Sequence, residues 1–161
     1  MILLVMGVTG SGKTTVGKLL ASRLGWTFLD ADDFHSASNV EKMTRGIPLT
    51  DADREPWLRS IHEELIRLDA QGHSAVLACS ALKQKYHDLL KAELDLRVIY
   101  IKGSYEVLYS RIASRQGHFA HENLLASQFA ALEEPAAAIT VDASQSPEQI
   151  AGELLKQLKI A

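Results

Sequence analysis

Only one cysteine, Cys79, occurs in the 161 residues, so no internal disulfide can form and a reducing compartment fits. No apolar run approaches the roughly twenty residues that cross a bilayer. Basic residues do not dominate either: 17 Lys and Arg stand against 20 Asp and Glu, a net charge of −3. That balance excludes a broad cationic surface for nucleic acid, and any anion site must be a local concentration of positive groups. Internal repeats, low-complexity tracts and linkers are missing as well. The first residues, MILLVM, have no basic leader or cleavage site and run straight into a glycine-rich loop. They read as a strand, and the expected address is the cytoplasm. What remains is an ordinary globular composition, 47% hydrophobic and 23% charged, long enough for one domain with a sizeable core.

Apolar and helical patterns alternate along the chain. Expected strands are Ile2–Met6, Thr27–Leu29, Ala75–Cys79, Arg97–Ile101 and Ala138–Val141. Expected helices are Lys13–Leu24, Glu55–Ala70, Lys83–Glu93, Tyr105–Ser114, Glu122–Leu132 and Pro147–Leu158. This alternation implies an α/β fold with a mostly parallel sheet covered on both faces. Ser146 and Gln149 have capping-box spacing around Pro147, and Ile150, Leu154 and Leu158 form one apolar face. Irregular stretches at 30–54 and 116–121 fall where such sheets bind ligands.

The segment Gly7–Thr14, GVTGSGKT, matches the phosphate-binding P-loop pattern, with the required strand before it and helix after it. Glycines let backbone N–H groups converge on an anion, and the helix N-terminus adds its dipole. Gly7, Gly10, Ser11, Gly12, Lys13, Thr14 and Thr15 are therefore candidate nucleotide-binding residues, with ATP as the expected nucleotide. Lys13 would reach the outer phosphates, and the Thr14 hydroxyl would serve Mg²⁺. The base-reading N-K-x-D of GTPases is absent, which favours a small-molecule kinase.

At the end of the second strand comes FLDADDFH, with Asp30 and Asp32 two residues apart. Two carboxylates beside a triphosphate can divide the work: Asp30 in the metal shell, Asp32 as acceptor of the attacking hydroxyl's proton. The bland alternative is a solvated turn that caps the next helix, a role assigned to Asp33.

The run Asp30–Arg54, D-A-D-D-F-H-x-x-x-N-x-x-K-M-x-x-G-x-P-L-x-D-x-D-R, resembles the gluconate kinase family of shikimate-kinase-like P-loop kinases. So do ACSALK at Ala78–Lys83, GHF at Gly117–Phe119 and SQFAALEEP at Ser127–Pro135. Ser36 departs from it, because proline is expected after the histidine in many relatives. The resemblance implies a three-layer P-loop kinase fold with a five-stranded parallel sheet, a substrate-binding helical excursion and a mobile lid. It implies one domain, 1–161, with a substrate region at about 31–72 and a lid at about 115–122. The activity implied is transfer of the ATP γ-phosphate to the 6-hydroxyl of D-gluconate, which feeds the pentose phosphate pathway. A homodimer is suggested by relatives, although no feature of the sequence demonstrates one.

If Phe34–Met43 is helical, His35, Asn39 and Lys42 form one polar stripe suited to a linear polyol; a wet helix face is the alternative. Arg54 is the candidate clamp for the substrate carboxylate, since its planar fork matches two carboxylate oxygens. A local pair with Asp51 or Asp53 is its alternative. Lys83 follows a strand end and is a further candidate for the acid. Trp57 reads as core, Cys79 as a small buried residue, and His62, His73 and His87 as surface residues without metal-ligand grouping. Arg111 and Arg115 lie four apart on one helix face before Gln116–Gly117–His118, which suits a lid that closes over phosphates. At least one of the two is expected to contact the transferred phosphoryl group, with Arg115 the catalytic candidate, and surface arginines paired with Glu106 or Glu122 are the alternative. The wider kinase resemblance implies Arg111 at the nucleotide, over adenine near Asp142–Ser146.

Overall fold

The apolar run Ile2–Met6 is strand β1, and all five of its residues are buried. It belongs to a computed structural model that describes residues 1–114 and 119–160. Helix α1 (Lys13–Leu24) leads to β2 (Thr27–Asp30), and a 3-10 turn (Ala31–Phe34) leads to α2 (Ala37–Thr44) and α3 (Asp51–Ala70). Then follow β3 (Ala75–Ala78), α4 (Gln84–Lys91), β4 (Leu96–Lys102), α5 (Tyr105–Ala113), α6 (Phe119–Ala131), β5 (Ile139–Asp142) and α7 (Pro147–Leu158). The five strands form one sheet in the order β2-β3-β1-β4-β5, with every pairing parallel.

A strand turns successive side chains to opposite faces, and β1 therefore serves two cores. Leu3 and Val5 pack with Val16, Leu20, Leu108, Ile112, Ile150 and Leu154 beneath α1, α5 and α7. Ile2, Leu4 and Met6 pack with Trp57, Leu58, Ile61, Leu65 and Leu90 beneath α3 and α4. Each fully buried aliphatic side chain contributes about 1.5–3 kcal/mol, so both layers clamp the central strand. The expected capping box at α7 is present: Ser146 accepts from the Gln149 N–H, and Gln149 returns the bond to the Ser146 N–H.

The register aligns the carboxyl ends of the strands along one edge of the sheet, Asp30 beside Ala78 and Lys102 beside Asp142. The loops that leave this edge build the site.

Three local expectations are corrected. Phe34–Met43 is not one helix: His35 and Ser36 are extended, and the Ser36 hydroxyl starts α2 by accepting the Asn39 N–H at 3.1 Å. Ser36 has φ −64°, the angle a proline ring imposes, so serine keeps the geometry and adds a cap. Helix α3 begins at Asp51, not Glu55, because Thr50 and Asp53 form a capping box that carries the helix past Pro56. Asp33 does not cap the next helix: it lies inside the turn, whose cap is Asp30, accepting from the Asp32 N–H at 3.0 Å, and α2 is capped by Ser36. No helix among the described residues is long and apolar enough to cross a membrane.

Candidate active site

The loop after β1 is shaped by what glycine permits. A Cβ on Gly7 would sit 2.6 Å from Ser11 Oγ and 3.0 Å from the Ile101 carbonyl oxygen. Gly12, where α1 begins, has φ +93°, a left-handed conformation that other residues adopt only under strain. No side chain among the described residues caps α1, so its first N–H groups stay available to an anion. Ser11 Oγ is buried and has no hydrogen-bond partner among the described residues. An orphaned hydroxyl inside a cradle of main-chain amides fits a phosphate, which supplies acceptors. The Thr9 N–H is already engaged, donating to Gln128 Oε1 of α6 at 2.6 Å.

Lys13 leaves this loop toward β2. Burial holds its ammonium below the usual lysine range, with Asp32, Cys79 and Asp30 pulling the other way. Thr14 Oγ1 donates to Asp30 Oδ2 at 3.4 Å, which puts a hydroxyl and a carboxylate together at the mouth of the loop. Oxygen donors of this kind suit Mg²⁺, so the pair fits the metal expected of a phosphoryl-transfer site. Thr15, the next residue, is exposed on the first turn of α1.

Asp32, Lys13, His35, Arg54, Trp57, Ser80 and Gln128 wall a single cavity of about 330 Å³. That is the small end of the range for small-molecule sites. His35 stacks on Trp57 with centroids 4.1 Å apart and planes 13° from parallel. Trp57 is anchored in turn by Nε1, which donates to the Ala31 carbonyl at 2.7 Å. Trp57 is thus core as expected, but its ring also forms a wall of the cavity. Burial lowers the His35 pKa, and neighbouring Arg54 adds to this while Asp32 opposes it.

Of the polar stripe, only His35 reaches the cavity. Asn39 is buried, donates to the Asp53 carbonyl at 2.9 Å, and lies 3.4 Å from His35 Nδ1. Lys42 grips the Asp53 carboxylate at 2.9 and 3.0 Å. These two brace α2 against α3, and the extended backbone at His35 and Ser36 breaks the expected single stripe. The Thr50 N–H and Lys42 together hold the Asp53 carboxyl down, to about 2.

Arg54 enters the cavity from α3 and donates to the Tyr86 hydroxyl at 3.1 Å, with Asp51 at 4.0 Å. Lys83 occupies the N-cap position of α4 without a side-chain capping bond and pairs with Asp51 at 3.4 Å. It stands behind Arg54 and not in the cavity wall. His87 corrects an expectation: it is buried, not a surface residue, and its Nε2 bonds the Ala81 carbonyl at 2.6 Å. Ala81 is one of few non-glycine residues with positive φ, +40°, in the loop that presents Ser80 and Leu82 to the site. Cys79 is buried as expected, and burial pushes its thiol up to about 12.

Arg111 reaches the P-loop. Its guanidinium donates to the Gly10 carbonyl at 3.4 Å and to the Ala143 carbonyl, tying the P-loop to the loop after β5. Arg115, Gly117 and His118 lie outside the described residues. Neither Tyr86 nor Gln128 stands out in the sequence as a site residue. Gln128 lay inside the SQFAALEEP run, and Tyr86 three residues after Lys83, but nothing in either local pattern reveals a contact made across the fold.

The shikimate kinase family model matches residues 9–159. A probable gluconokinase of Mus musculus is 46% identical, over 98% of this chain and 97% of its own. The crystal structure of a Janibacter sugar kinase superposes with a TM-score of 0.92 at 44% identity, covering 99% of this chain and 95% of the other. A gluconokinase from Sinorhizobium meliloti superposes at 0.87 with 40% identity, over 98% and 90%. With its parallel five-stranded sheet, P-loop and near-complete alignment, the chain belongs to the gluconokinase family of shikimate-kinase-like P-loop kinases.

Proposed function

We propose that the protein catalyses transfer of the γ-phosphate of ATP to the 6-hydroxyl of D-gluconate, giving ADP and 6-phospho-D-gluconate. The observation that carries this reading is one cavity holding Lys13 of the P-loop, the Asp32 carboxylate and the Arg54 fork. A linear sugar acid has a hydroxyl at one end and a carboxylate at the other, and the cavity offers a partner for each. The wider fold also hosts shikimate and adenylylsulfate kinases; shikimate too carries a carboxylate, so Arg54 favours an acid acceptor and the similarity to gluconokinases favours an aldonic one.

In the proposed reaction the P-loop amides, the Ser11 hydroxyl and Lys13 hold the β- and γ-phosphates. Asp32 accepts the proton of the terminal hydroxyl as its oxygen bonds to the γ-phosphorus. The bond from that phosphorus to the bridging oxygen breaks, and ADP leaves. Thr14 and Asp30 are the residues that would hold Mg²⁺, directly or through water; when bound, it offsets charge on the phosphate oxygens. Arg54 and His35 fix the acid and polyol end, while Asn39, Lys42 and Lys83 support them from behind. Arg111 serves the nucleotide, and Arg115, in the proposed lid at 115–122, serves the transferred group. Most of the acceleration comes from positioning and electrostatics.

Residues 1–161 act as one domain in this reading, with 31–72 as the substrate region. The reduced, buried Cys79 and the use of ATP fit a cytoplasmic enzyme. Size-exclusion chromatography tests the homodimer. The deciding experiment for activity is ADP release with a panel of aldonic acids, shikimate, nucleosides and adenylylsulfate. Turnover with gluconate far above the others is expected; ATP binding without turnover of any acceptor would leave only a nucleotide sensor.

A further inference from the structure

The cation at the acid end of the cavity is held by a phenol. Arg54 Nη1 donates to the Tyr86 hydroxyl at 3.1 Å, and the guanidinium carbon lies 5.7 Å from the Tyr86 ring centroid. The same hydroxyl donates to Asp51 Oδ1. A phenol has one proton to donate. Here it goes to the anion, which leaves the oxygen lone pairs to the cation, and the relay runs in one direction only. Burial and the bond to Asp51 keep the Tyr86 proton in place beyond the usual tyrosine range.

Asp51 is itself held from the far side. Lys83 lies 3.4 Å from Oδ1 and Lys85 2.5 Å from Oδ2. The carboxylate is therefore anchored to α4, and its separation from Arg54 is 4.0 Å, longer than a direct hydrogen bond. With Lys83, Lys85 and Arg54 around one carboxylate, the cluster keeps surplus positive charge in a chain whose net charge is −3. Without the phenol oxygen, nothing described would keep the guanidinium from collapsing onto Asp51, where its fork would be spent on a protein carboxylate.

We propose that Tyr86 is the positioning residue of the acid clamp: braced on Asp51, its hydroxyl holds the Arg54 fork toward the cavity and away from Asp51. The proposal rests on the reading of Arg54 as the ligand of the substrate carboxylate. It makes Tyr86 matter for acceptors that carry a carboxylate and not for neutral polyols of the same length.

The test is steady-state kinetics on Tyr86→Phe, Arg54→Ala and the double variant, with gluconate and with glucitol, its neutral six-carbon counterpart. Tyr86→Phe keeps the ring in its packing and removes one oxygen. Loss of a hydrogen bond to a charged group corresponds to about a tenfold rise in gluconate KM, with kcat and the ATP KM within about twofold. In the Arg54→Ala background the same change should add nothing, and glucitol turnover should be unmoved by it. An unchanged gluconate KM in Tyr86→Phe, a full additional loss in the double variant, or an equal loss on glucitol would each overturn the proposal. A wild-type gluconate KM in Arg54→Ala would instead remove the clamp itself, a result separable from the failure of Tyr86 alone.

Discussion

Thr9 and Gln128 are 119 residues apart in sequence, yet the Thr9 N–H donates to Gln128 Oε1 at 2.6 Å. This bond joins the P-loop to α6. The loop after β1 is held at its rear by β1 and at its crest by a side chain from the far end of the chain. Replacing Gln128 with Leu leaves the Thr9 N–H without that acceptor. A loss of about 1–3 kcal/mol is expected for a donor left unsatisfied. In a chain of this length that corresponds to a melting temperature lower by roughly 2–12 °C, read by differential scanning fluorimetry. The ATP KM should rise as the loop loosens.

Gly7 makes a sharper prediction about the same loop. Its missing side chain is required by Ser11 Oγ and by the Ile101 carbonyl, backbone that cannot move without disturbing β4. Gly7→Ala should destabilise the fold by about 1–3 kcal/mol through overpacking. It should also displace the Ser11 hydroxyl from the cradle. Isothermal titration with ATP is the measurement, and a wild-type dissociation constant would show that the cradle does not need this glycine.

The catalytic assignment of Asp32 is tested by Asp32→Asn. The carboxamide keeps the shape but cannot accept the hydroxyl proton in the same way. General-base loss typically costs a factor of about 10²–10⁴, so kcat should fall by that order while ATP affinity changes little. Because Asp32 also opposes the effect of burial on Lys13, the neutral variant leaves Lys13 with less to stabilise its charge. A small rise in ATP KM is the expected sign of that coupling. Turnover at the wild-type rate would dismiss Asp32 as the base.

The strands were legible because each is an apolar run bounded by glycine or polar residues; β1 matches Ile2–Met6 and β5 is displaced only slightly toward Asp142. The P-loop was legible because its chemistry is local: one loop and one helix start carry all of it. The substrate region was less so. The break at Ser36 depends on a hydroxyl cap competing with helix continuation, and the start of α3 at Asp51 depends on a capping box strong enough to tolerate Pro56 downstream. The sequence does not reveal the burial of His87, because its partner, the Ala81 carbonyl, is in place only once a strained loop is folded. The Tyr86–Arg54 and Thr9–Gln128 contacts join elements distant in sequence, and no periodicity announces them.

Two imidazoles give the fold an acid sensitivity above the carboxylate range. Burial lowers the pKa of His35, aided by Arg54 and opposed by Asp32. Burial also lowers that of His87, opposed by its bond to Ala81 and by Asp88 and Glu133. Above roughly pH 7 both rings are neutral in folded and unfolded chains, so they contribute no difference. As the pH falls through about 6.5, the unfolded chain takes up protons first and the folded state loses ground. Asp51 and Asp53 are shifted downward and titrate well below this window. Melting temperature should therefore fall between about pH 7.5 and 5.5, and less steeply in His87→Gln, whose amide can still donate to Ala81.

Cys79 offers a prediction by its silence. Its thiol is buried behind Lys13, within reach of a lysine that would lower its pKa, and a reactive thiolate beside a phosphate site is a reasonable suspicion. The balance goes the other way. Burial outweighs both the Ala81 backbone hydrogen bond and the Lys13 charge, and Asp32 and Asp30 add to the upward push, so the thiol stays protonated with a pKa raised to about 12. At neutral pH the thiolate fraction is then about five orders of magnitude below the thiol. Native protein should resist a disulfide reagent such as DTNB, and full reaction of the single thiol should follow unfolding in guanidinium. Cys79→Ala should retain turnover with a modest loss of stability, about 1 kcal/mol for a small buried group. Rapid labelling of the native protein, or loss of activity on alkylation before unfolding, would show that the loop after β3 opens far more readily than its packing indicates.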